Sequence, residues 1–109
     1  MARRAEKFEQ EPGERRVREG RASHFRGPET VGGRLLLTDR RIVFVPHRLN
    51  ISKDVYAAPL SQLRKVGVGA GGPNRIEVQL TDSSRQIFLV FRSKKWLAQI
   101  QEMTGLLGA

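Results

Sequence analysis

The chain of 109 residues is long enough for one domain with a modest core. It contains no cysteine, which excludes a disulfide framework and a thiolate metal site and favours a cytoplasmic location. No apolar run approaches the roughly 20 residues that a membrane-spanning helix needs, and the charged N-terminus does not resemble a signal peptide.

The charge is strongly positive, with 20 basic and 11 acidic residues and a net value of +9. Residues 22–109 contribute +7 of this, so the part of the chain expected to fold carries most of the excess. Such a surface attracts anionic partners, either nucleic acid or acidic lipid. The alternative is a solvated surface that only reflects a preference for arginine, because fifteen of the basic residues are Arg and five are Lys.

The first fourteen residues are polar and charged, and Phe8 is the one aromatic side chain among them. The Pro12-Gly13 pair interrupts any regular element, and nothing in this segment can bury a core. We therefore predict a flexible, charged tail over residues 1–14 and a folded domain over residues 15–109.

A first strand is predicted over Arg15–Phe25, because side chains alternate between two faces from Ala22 onward. Gly20 is expected to form a bulge within this strand. Gly27-Pro28 then opens a loop that is expected to run to Gly33.

The stretch from Gly32 to Pro46 contains two short apolar runs, Leu35–Leu37 and Ile42–Val45, separated by four polar residues. Two such runs around a polar turn predict a β-hairpin, and the second run is rich in β-branched and aromatic residues. Successive strand residues point to opposite faces, so with consecutive apolar residues both faces of this hairpin need apolar cover or lie in a curved, closed sheet.

Four more strands are predicted after the hairpin, each of them short. Pro59 places the first of them at a sheet edge or ends it, and the glycine-rich cluster from Gly71 to Asn74 forms a strong turn. The four predicted strands span Val55–Leu60, Lys65–Gly69, Arg75–Thr81 and Gln86–Phe91.

The last of these strands is apolar on both faces, so one face should lie in the core while the other needs cover, most simply by a helix. We expect Phe44, Phe88 and Phe91 to lie in the core. A helix follows, with Ser93 as its N-cap and an apolar stripe at spacings of three and four. The stripe consists of Trp96, Leu97, Ile100, Met103 and Leu107.

Seven short strands followed by one late helix predict a mainly β fold. Consecutive strands joined by glycine-rich turns are typical of an antiparallel barrel or sandwich.

The stretch Gly33–Phe44, GRLLLTDRRIVF, resembles the hairpin of GRAM domains, which are small relatives of the pleckstrin-homology (PH) domain. Ala58–Leu63 resembles the Ile-Pro-Leu segment of that family, with Gln62 where an acidic residue is usual. Trp96 and Ile100 resemble the motif of its helix. The resemblance covers most of the chain. It implies a PH-like seven-stranded antiparallel barrel capped by one C-terminal α-helix, in a small bacterial single-domain protein.

The residues offer no coherent active site. Gly67–Gly72 matches the G-x-G-x-x-G pattern, but a turn and a strand follow it where a dinucleotide site requires a helix. A metal site would need both His24 and His47 together with carboxylates, and a hydrogen-bonded or strand-edge histidine is the simpler interpretation. Ser23 and His24 lie on opposite strand faces and cannot act as nucleophile and base. We therefore expect a protein that is not an enzyme and that uses no cofactor or metal.

Basic side chains occur on or beside the loops that join the first four strands. In PH domains that bind phosphoinositides, the equivalent region supplies cations that clamp the phosphates. The basic-x-basic pair of those domains is absent, since Arg34 precedes two leucines. Weaker attraction to an acidic membrane is worth about 1 kcal/mol per basic residue near the surface. The candidate residues for binding an anion, a lipid or a partner are Arg26, Arg34, Arg40, Arg41, Arg48 and Lys53.

The resemblance and the charge imply a non-enzymatic binding module that docks through basic loops on an acidic membrane surface or on a partner protein. Its expected location is the cytoplasm, including the periphery of the membrane. The alternative for Arg40 and Arg41 is a purely structural role in the hairpin turn.

Two further hypotheses come from other classes. One is nucleic-acid binding through the net positive charge, against which stands the expected lack of exposed aromatic residues for base stacking. The other is a self-associating structural module that uses the strand edge at Tyr56–Pro59 or the Leu106-Leu107 tail.

Overall fold

A computed structural model of the chain describes residues 8–47 and 54–106. Within these ranges the chain forms seven antiparallel strands in one sheet and a C-terminal α-helix, which confirms the predicted fold class. The elements are β1 (Arg16–Arg26), β2 (Glu29–Thr38), β3 (Arg41–Pro46), β4 (Tyr56–Pro59), β5 (Leu63–Val68), β6 (Arg75–Leu80), β7 (Arg85–Val90) and α1 (Ser93–Thr104), with a 3₁₀ turn over Leu60–Gln62.

The strands are ordered β4-β3-β2-β1-β7-β6-β5, so β1 lies in the middle of the sheet and pairs on both sides. It is antiparallel to β2 along most of its length and to β7 from Ala22 to His24. β1 therefore joins the two halves of the sheet. β4 and β5 form its edges, in agreement with the edge position predicted from Pro59.

The core fills the space between the two halves of the sheet and is completed by the helix. Trp96, Leu97 and Ile100 of α1 are buried against inward-facing strand residues. Each such side chain contributes roughly 1.5–3 kcal/mol relative to an exposed one. Gly20 faces this helix, and a Cβ at Gly20 would lie 3.6 Å from the Trp96 ring.

The β2–β3 hairpin is covered on both faces, as predicted. Leu35 pairs with Phe44, and both side chains belong to the main core. Leu36 pairs with Val43, and these side chains are also buried although they lie outside the main core cluster. Both faces of this hairpin are therefore shielded from solvent.

The outer face of β7 differs from the prediction. Phe88 and Val90 point into the core, so the period of two along a strand turns Leu89 and Phe91 outward. The helix packs against β5 and β6 and leaves Leu89 36% exposed and Phe91 74% exposed. The prediction that Phe91 lies in the core, with a helix over this face, is therefore wrong.

The β1–β2 connection is shorter than predicted. Gly27-Pro28 forms a tight turn, and β2 begins at Glu29 rather than after Gly33. Gly27 has a φ of +59°, a left-handed conformation that glycine adopts without steric cost.

The bulge in β1 lies near its start and not at Gly20. The register with β2 shifts between Arg16 and Arg18, whereas Gly20 pairs regularly with Leu35. A Cβ at position 20 would make an ordinary contact with Trp96, so the structure gives no steric reason for a glycine here.

The N-cap of the helix lies one residue before the predicted one. Arg92 is the N-cap, in a left-handed conformation with a φ of 62°, and makes no side-chain cap hydrogen bond. Ser93 is therefore the first helical residue and not the N-cap. The N–H groups of Lys95 and Trp96 both donate to the carbonyl oxygen of Arg92.

Gly33 of β2 pairs with Pro46 and leaves no room for a side chain against the β3 backbone. A Cβ at Gly33 would overlap the carbonyl oxygen of Val45 and would lie 2.8 Å from the Cα of Pro46. Because backbone atoms cannot yield as a flexible side chain can, we expect Gly33→Ala to lower the free energy of unfolding by about 1–3 kcal/mol. In the control Gly32→Ala, the added Cβ meets nothing within 4 Å, so the change should stay within about 0.5 kcal/mol. Equal effects in urea denaturation would contradict this assignment.

Candidate binding surface

An open cleft of about 490 Å³ lies at the end of the sheet where three connections meet. These are the β1–β2 turn, the segment that leads into β4, and the start of β7. The end of β1 and the start of β7 are neighbours because the two strands are antiparallel. The side chains that give the cleft its chemistry are His24, Arg26, Asp54, Tyr56, Arg85 and Gln86.

His24 is buried beneath this cleft and is fully hydrogen-bonded. The Nε–H of Arg26 donates to its Nδ1 at 2.9 Å, so the ring proton is on Nε2, which donates to Oε1 of Gln86 at 2.6 Å. The ring stacks on Phe88 with 4.6 Å between centroids. Burial lowers the pKa of His24 below 6.5, and the charge of Arg26 lowers it further, whereas the hydrogen bond that His24 donates to Gln86 opposes this shift. The imidazole is thus neutral at pH 7 and supports the cleft.

Three contacts with described residues help to hold Arg26 in one orientation. Besides its bond to His24, its Nη2 donates to the main-chain oxygen of Asp54 at 2.7 Å. Its guanidinium also lies 5.7 Å from the centroid of the Phe44 ring. Pre-ordering of this kind reduces the conformational entropy that the Arg26 side chain loses when a partner binds.

Arg85 lines the same cleft from β7. Its side chain is 66% exposed, and its Nε lies 3.4 Å from a carboxylate oxygen of Glu77. An exposed ion pair contributes less than about 1 kcal/mol, so Arg85 can exchange Glu77 for another anion. Arg26 and Arg85 therefore both line the cleft, and arginine is the side chain best suited to binding phosphate.

The hairpin turn lies at the opposite end of the strands, and Arg41 there is paired. Its Nε donates to Oε2 of Glu14 at 2.8 Å and its Nη2 to Oε1 at 2.9 Å. The hydroxyl of Thr38 donates to the same carboxylate at 2.6 Å. The hydrogen bonds from Arg41 are the main reason why the pKa of Glu14 falls to about 2. Arg41 thus neutralises a buried carboxylate.

Glu14 differs from its expected place in a flexible tail, since it is only 2% exposed. One of its carboxylate oxygens also accepts the N–H of Glu11 at 2.9 Å, and the ring of Phe8 lies 4.9 Å from the Arg41 guanidinium. Residues 8–14 therefore pack against the end of the hairpin. The sequence hid this contact because 27 residues separate Glu14 from Arg41. Residues 1–7 lie outside the described ranges, where the tail stays a prediction.

The remaining candidate arginines are dispersed. Arg40 contacts Glu11 at 3.3 Å beside the turn, and Arg34 contacts Glu19 at 2.9 Å in the middle of the sheet. The structure does not bring the four described candidates together, since only Arg26 reaches the cleft. Arg48 and Lys53 lie outside the described residues, so their role stays a prediction.

Sequence reasoning missed Arg85 and Gln86 as members of the candidate site. They follow a polar turn and look like ordinary solvent-exposed residues. The signal that would have found them is the pairing of β7 with the end of β1, which joins residues more than sixty positions apart.

Residues 8–47 and 54–106 contain no group of three metal-ligating side chains placed to hold an ion. None of the described helices combines the length and the apolar character that crossing a membrane requires.

Comparison with known proteins gives likeness of structure only. No family model and no curated protein matches the sequence. The C-terminal domain of an unknown protein from Leishmania infantum is similar with a TM-score of 0.73 and 12% identity, over 85% of this chain and 86% of that one. The N-terminal PH domain of Vps36 is similar with a TM-score of 0.65 and 17% identity, over 94% and 90% of the two chains.

A third similar structure is the complex of the PDZ-RhoGEF DH/PH domains with activated RhoA, with a TM-score of 0.67 and 11% identity. The likeness covers 83% of this chain but 29% of that one, so this chain spans less than a third of the RhoGEF fragment. At such low identity the neighbours show the fold alone. The fold is PH-like.

The ion pair at the hairpin end predicts a large difference between two neighbouring arginines. Arg41→Ala leaves the buried carboxylate of Glu14 without its charged partner, which should cost about 3 kcal/mol or more. The control Arg40→Ala breaks a half-exposed pair and should cost less than about 1 kcal/mol. Urea denaturation at pH 7 measures the free energy of unfolding of both variants. Similar losses of stability would show that the buried Arg41–Glu14 pair contributes no more than the exposed Arg40–Glu11 pair.

The lowered pKa of Glu14 predicts a loss of stability in acid. Its folded pKa of about 2 lies below its ordinary 4.5, so its contribution is complete above pH 4.5 and is lost as the pH falls toward 2. We expect the free energy of unfolding of the wild type to exceed that of Glu14→Gln by about 1–3 kcal/mol at pH 7. This gap should narrow between pH 4.5 and 3 in denaturation experiments. A gap that stays constant over this range would contradict the ionised, buried pair.

Proposed function

We propose that the chain is a non-enzymatic, PH-like binding module of the GRAM type that docks on an acidic membrane surface. The observation that carries this proposal is the presence of two arginines, Arg26 and Arg85, in the lining of one cleft. The β3–β4 connection starts and finishes at this end of the sheet, and its sequence contains Arg48 and Lys53. The docking surface is thus the end that carries the cleft.

The distribution of paired charge supports this end over the hairpin turn. Arg40 and Arg41 each have a carboxylate partner in the segment that precedes β1. Arg15 lies 3.9 Å from Asp39 at the same end. Arg41 is bonded to a buried carboxylate and is therefore less available to an anionic surface than Arg85, whose pair with Glu77 is more exposed.

The same side chains favour a general attraction over a tight, stereospecific headgroup site. The second strand lacks the basic pair of phosphoinositide-binding PH domains, and its one arginine, Arg34, already contacts Glu19. With about 1 kcal/mol per basic residue near an anionic surface, a few residues give modest binding that weakens as salt is added.

The assignment to the GRAM type rests on the hairpin pattern in Gly33–Phe44 together with the fold. The absence of catalysis is supported by His24, whose two ring nitrogens are both engaged in hydrogen bonds. Cytoplasmic residence, including the membrane periphery, follows from the same proposal.

A partner protein is the second candidate for docking. The similar PDZ-RhoGEF structure is a complex with a protein, RhoA, which supports protein partners for folds of this kind. Nucleic-acid binding is less favoured, because stacking platforms use successive exposed aromatic rings, whereas Phe91 is the one aromatic side chain that is largely exposed in the described ranges. Self-association is opposed by the net charge of +9.

Co-sedimentation with vesicles tests the membrane proposal. We expect the protein to sediment with phosphatidylserine-containing vesicles at low salt and not with pure phosphatidylcholine vesicles. Lys53→Glu/Arg85→Glu should weaken this binding at least tenfold, because it reverses the charge of Arg85 in the cleft and of Lys53 in the sequence of the β3–β4 connection. The control Arg64→Glu/Lys65→Glu makes the same change of charge on exposed positions of β5 and should weaken it less than threefold.

Equal weakening by the two double variants would mean that only net charge matters and that the cleft end is not the docking surface. Failure to sediment with anionic vesicles at low salt would show that the membrane proposal is wrong.

A further inference from the structure

A groove of about 760 Å³ lies on the outer face of the sheet, where β3, β2, β1 and β7 are adjacent. Its floor is made of small residues, with Ser23 of β1 paired with Gly32 of β2. A Cβ at Gly32 would meet nothing within 4 Å, so the space above it is open. Val45 forms one wall and Leu89 and Phe91 form the other.

The walls of the groove are apolar and uncovered. Three large apolar side chains are at least 36% exposed in the described ranges, and two of them, Leu89 and Phe91, line this groove. The third, Val68, lies on the edge strand β5. An apolar patch with a polar rim is typical of an interaction site, and a protruding aromatic ring is the usual anchor of one.

The rim of the groove is positive. Arg21 and Arg34 face each other across β1 and β2, and the lining residues include no Asp or Glu. Arg34 contacts Glu19 through a pair that is about half exposed, and Arg21 is exposed. Arg92 extends this positive rim, since its guanidinium lies 5.7 Å from the centroid of the Phe91 ring.

The charge of the rim selects the occupant. A second copy of the chain carries +9 and is repelled, and residues 1–7 of the same chain hold three basic residues against one acidic residue. A flat membrane cannot reach the floor of a concave groove, whereas a single extended backbone can approach closely over Ser23 and Gly32. An acidic peptide segment therefore fits best.

The size of the groove sets the length of this segment. Four adjacent strands at about 4.8 Å spacing span roughly 14 Å, which four or five extended residues cover at about 3.3 Å each. Such a segment has room for two or three side chains on the face that meets the groove.

We propose that this groove binds a short, extended segment of a partner protein in which apolar side chains are flanked by Asp or Glu. The apolar side chains pack against Phe91, Leu89 and Val45. The carboxylates pair with Arg21 and, in exchange for Glu19, with Arg34. This surface is separate from the cleft and does not depend on membrane docking.

Selection from a phage library of random twelve-residue peptides on the intact protein tests this proposal. Dissociation constants of the recovered peptides are then measured by fluorescence anisotropy for the wild type and three variants. We expect acidic and apolar peptides whose affinity falls at least tenfold in Phe91→Asp and in Arg21→Glu. The control Val68→Asp, at a position that is equally 74% exposed, should change the affinity less than twofold. Circular dichroism and urea denaturation check that each variant is folded.

Several results would overturn the proposal: no enrichment over the unselected library, a basic consensus, or unchanged affinity in folded Phe91→Asp. Loss of vesicle sedimentation in Phe91→Asp would assign the groove to the membrane and also overturn it. Retained peptide affinity in Lys53→Glu/Arg85→Glu would support it, whether or not that variant still sediments with vesicles.

Discussion

The position of β1 between β2 and β7 is the constraint on which the rest of the structure depends. Its pairing on both sides turns two small antiparallel sheets into one, and its alternation assigns each side chain to a role. Gly20 faces the helix, His24 faces the core beneath the cleft, and Ser23 faces outward on the floor of the groove. A shift of β1 by one residue would exchange these faces and remove both surfaces together.

The basic residues behind the net charge of +9 are not equally available to an anionic partner, because many arginines are already paired with carboxylates. At the hairpin end, Arg41 compensates the buried carboxylate of Glu14, and the cost of desolvating both groups is offset only by their close, bidentate contact. This pair orders the segment before β1. Because the Arg41 guanidinium is already bonded to Glu14, it is poorly available to a ligand. Positive charge that can be exchanged lies instead at the cleft, through Arg85, and at the rim of the groove.

Local patterns predicted the strands and the helix well, because alternation and spacings of three and four are properties of neighbouring residues. Pro59 at an edge strand and the covered hairpin are examples. What the sequence could not show is contact between distant residues. Glu14 was indistinguishable from a solvated charge until Arg41 was placed beside it, and Arg85 joined the cleft only through the β1–β7 pairing. The apolar residues of β7 correctly predicted that one face of the strand lies in the core. They did not show whether the helix or solvent lies against Phe91 on the opposite face.

The measurement that tests the docking surface most directly is the change in backbone amide chemical shifts when ¹⁵N-labelled protein binds nanodiscs with and without anionic lipid. The arrangement of Arg26 and Arg85 predicts changes confined to the β1–β2 turn, the β3–β4 connection and the start of β7, seen with anionic lipid alone. Changes centred on residues 38–41, or changes of equal size with neutral lipid, would contradict docking through the cleft end of the sheet.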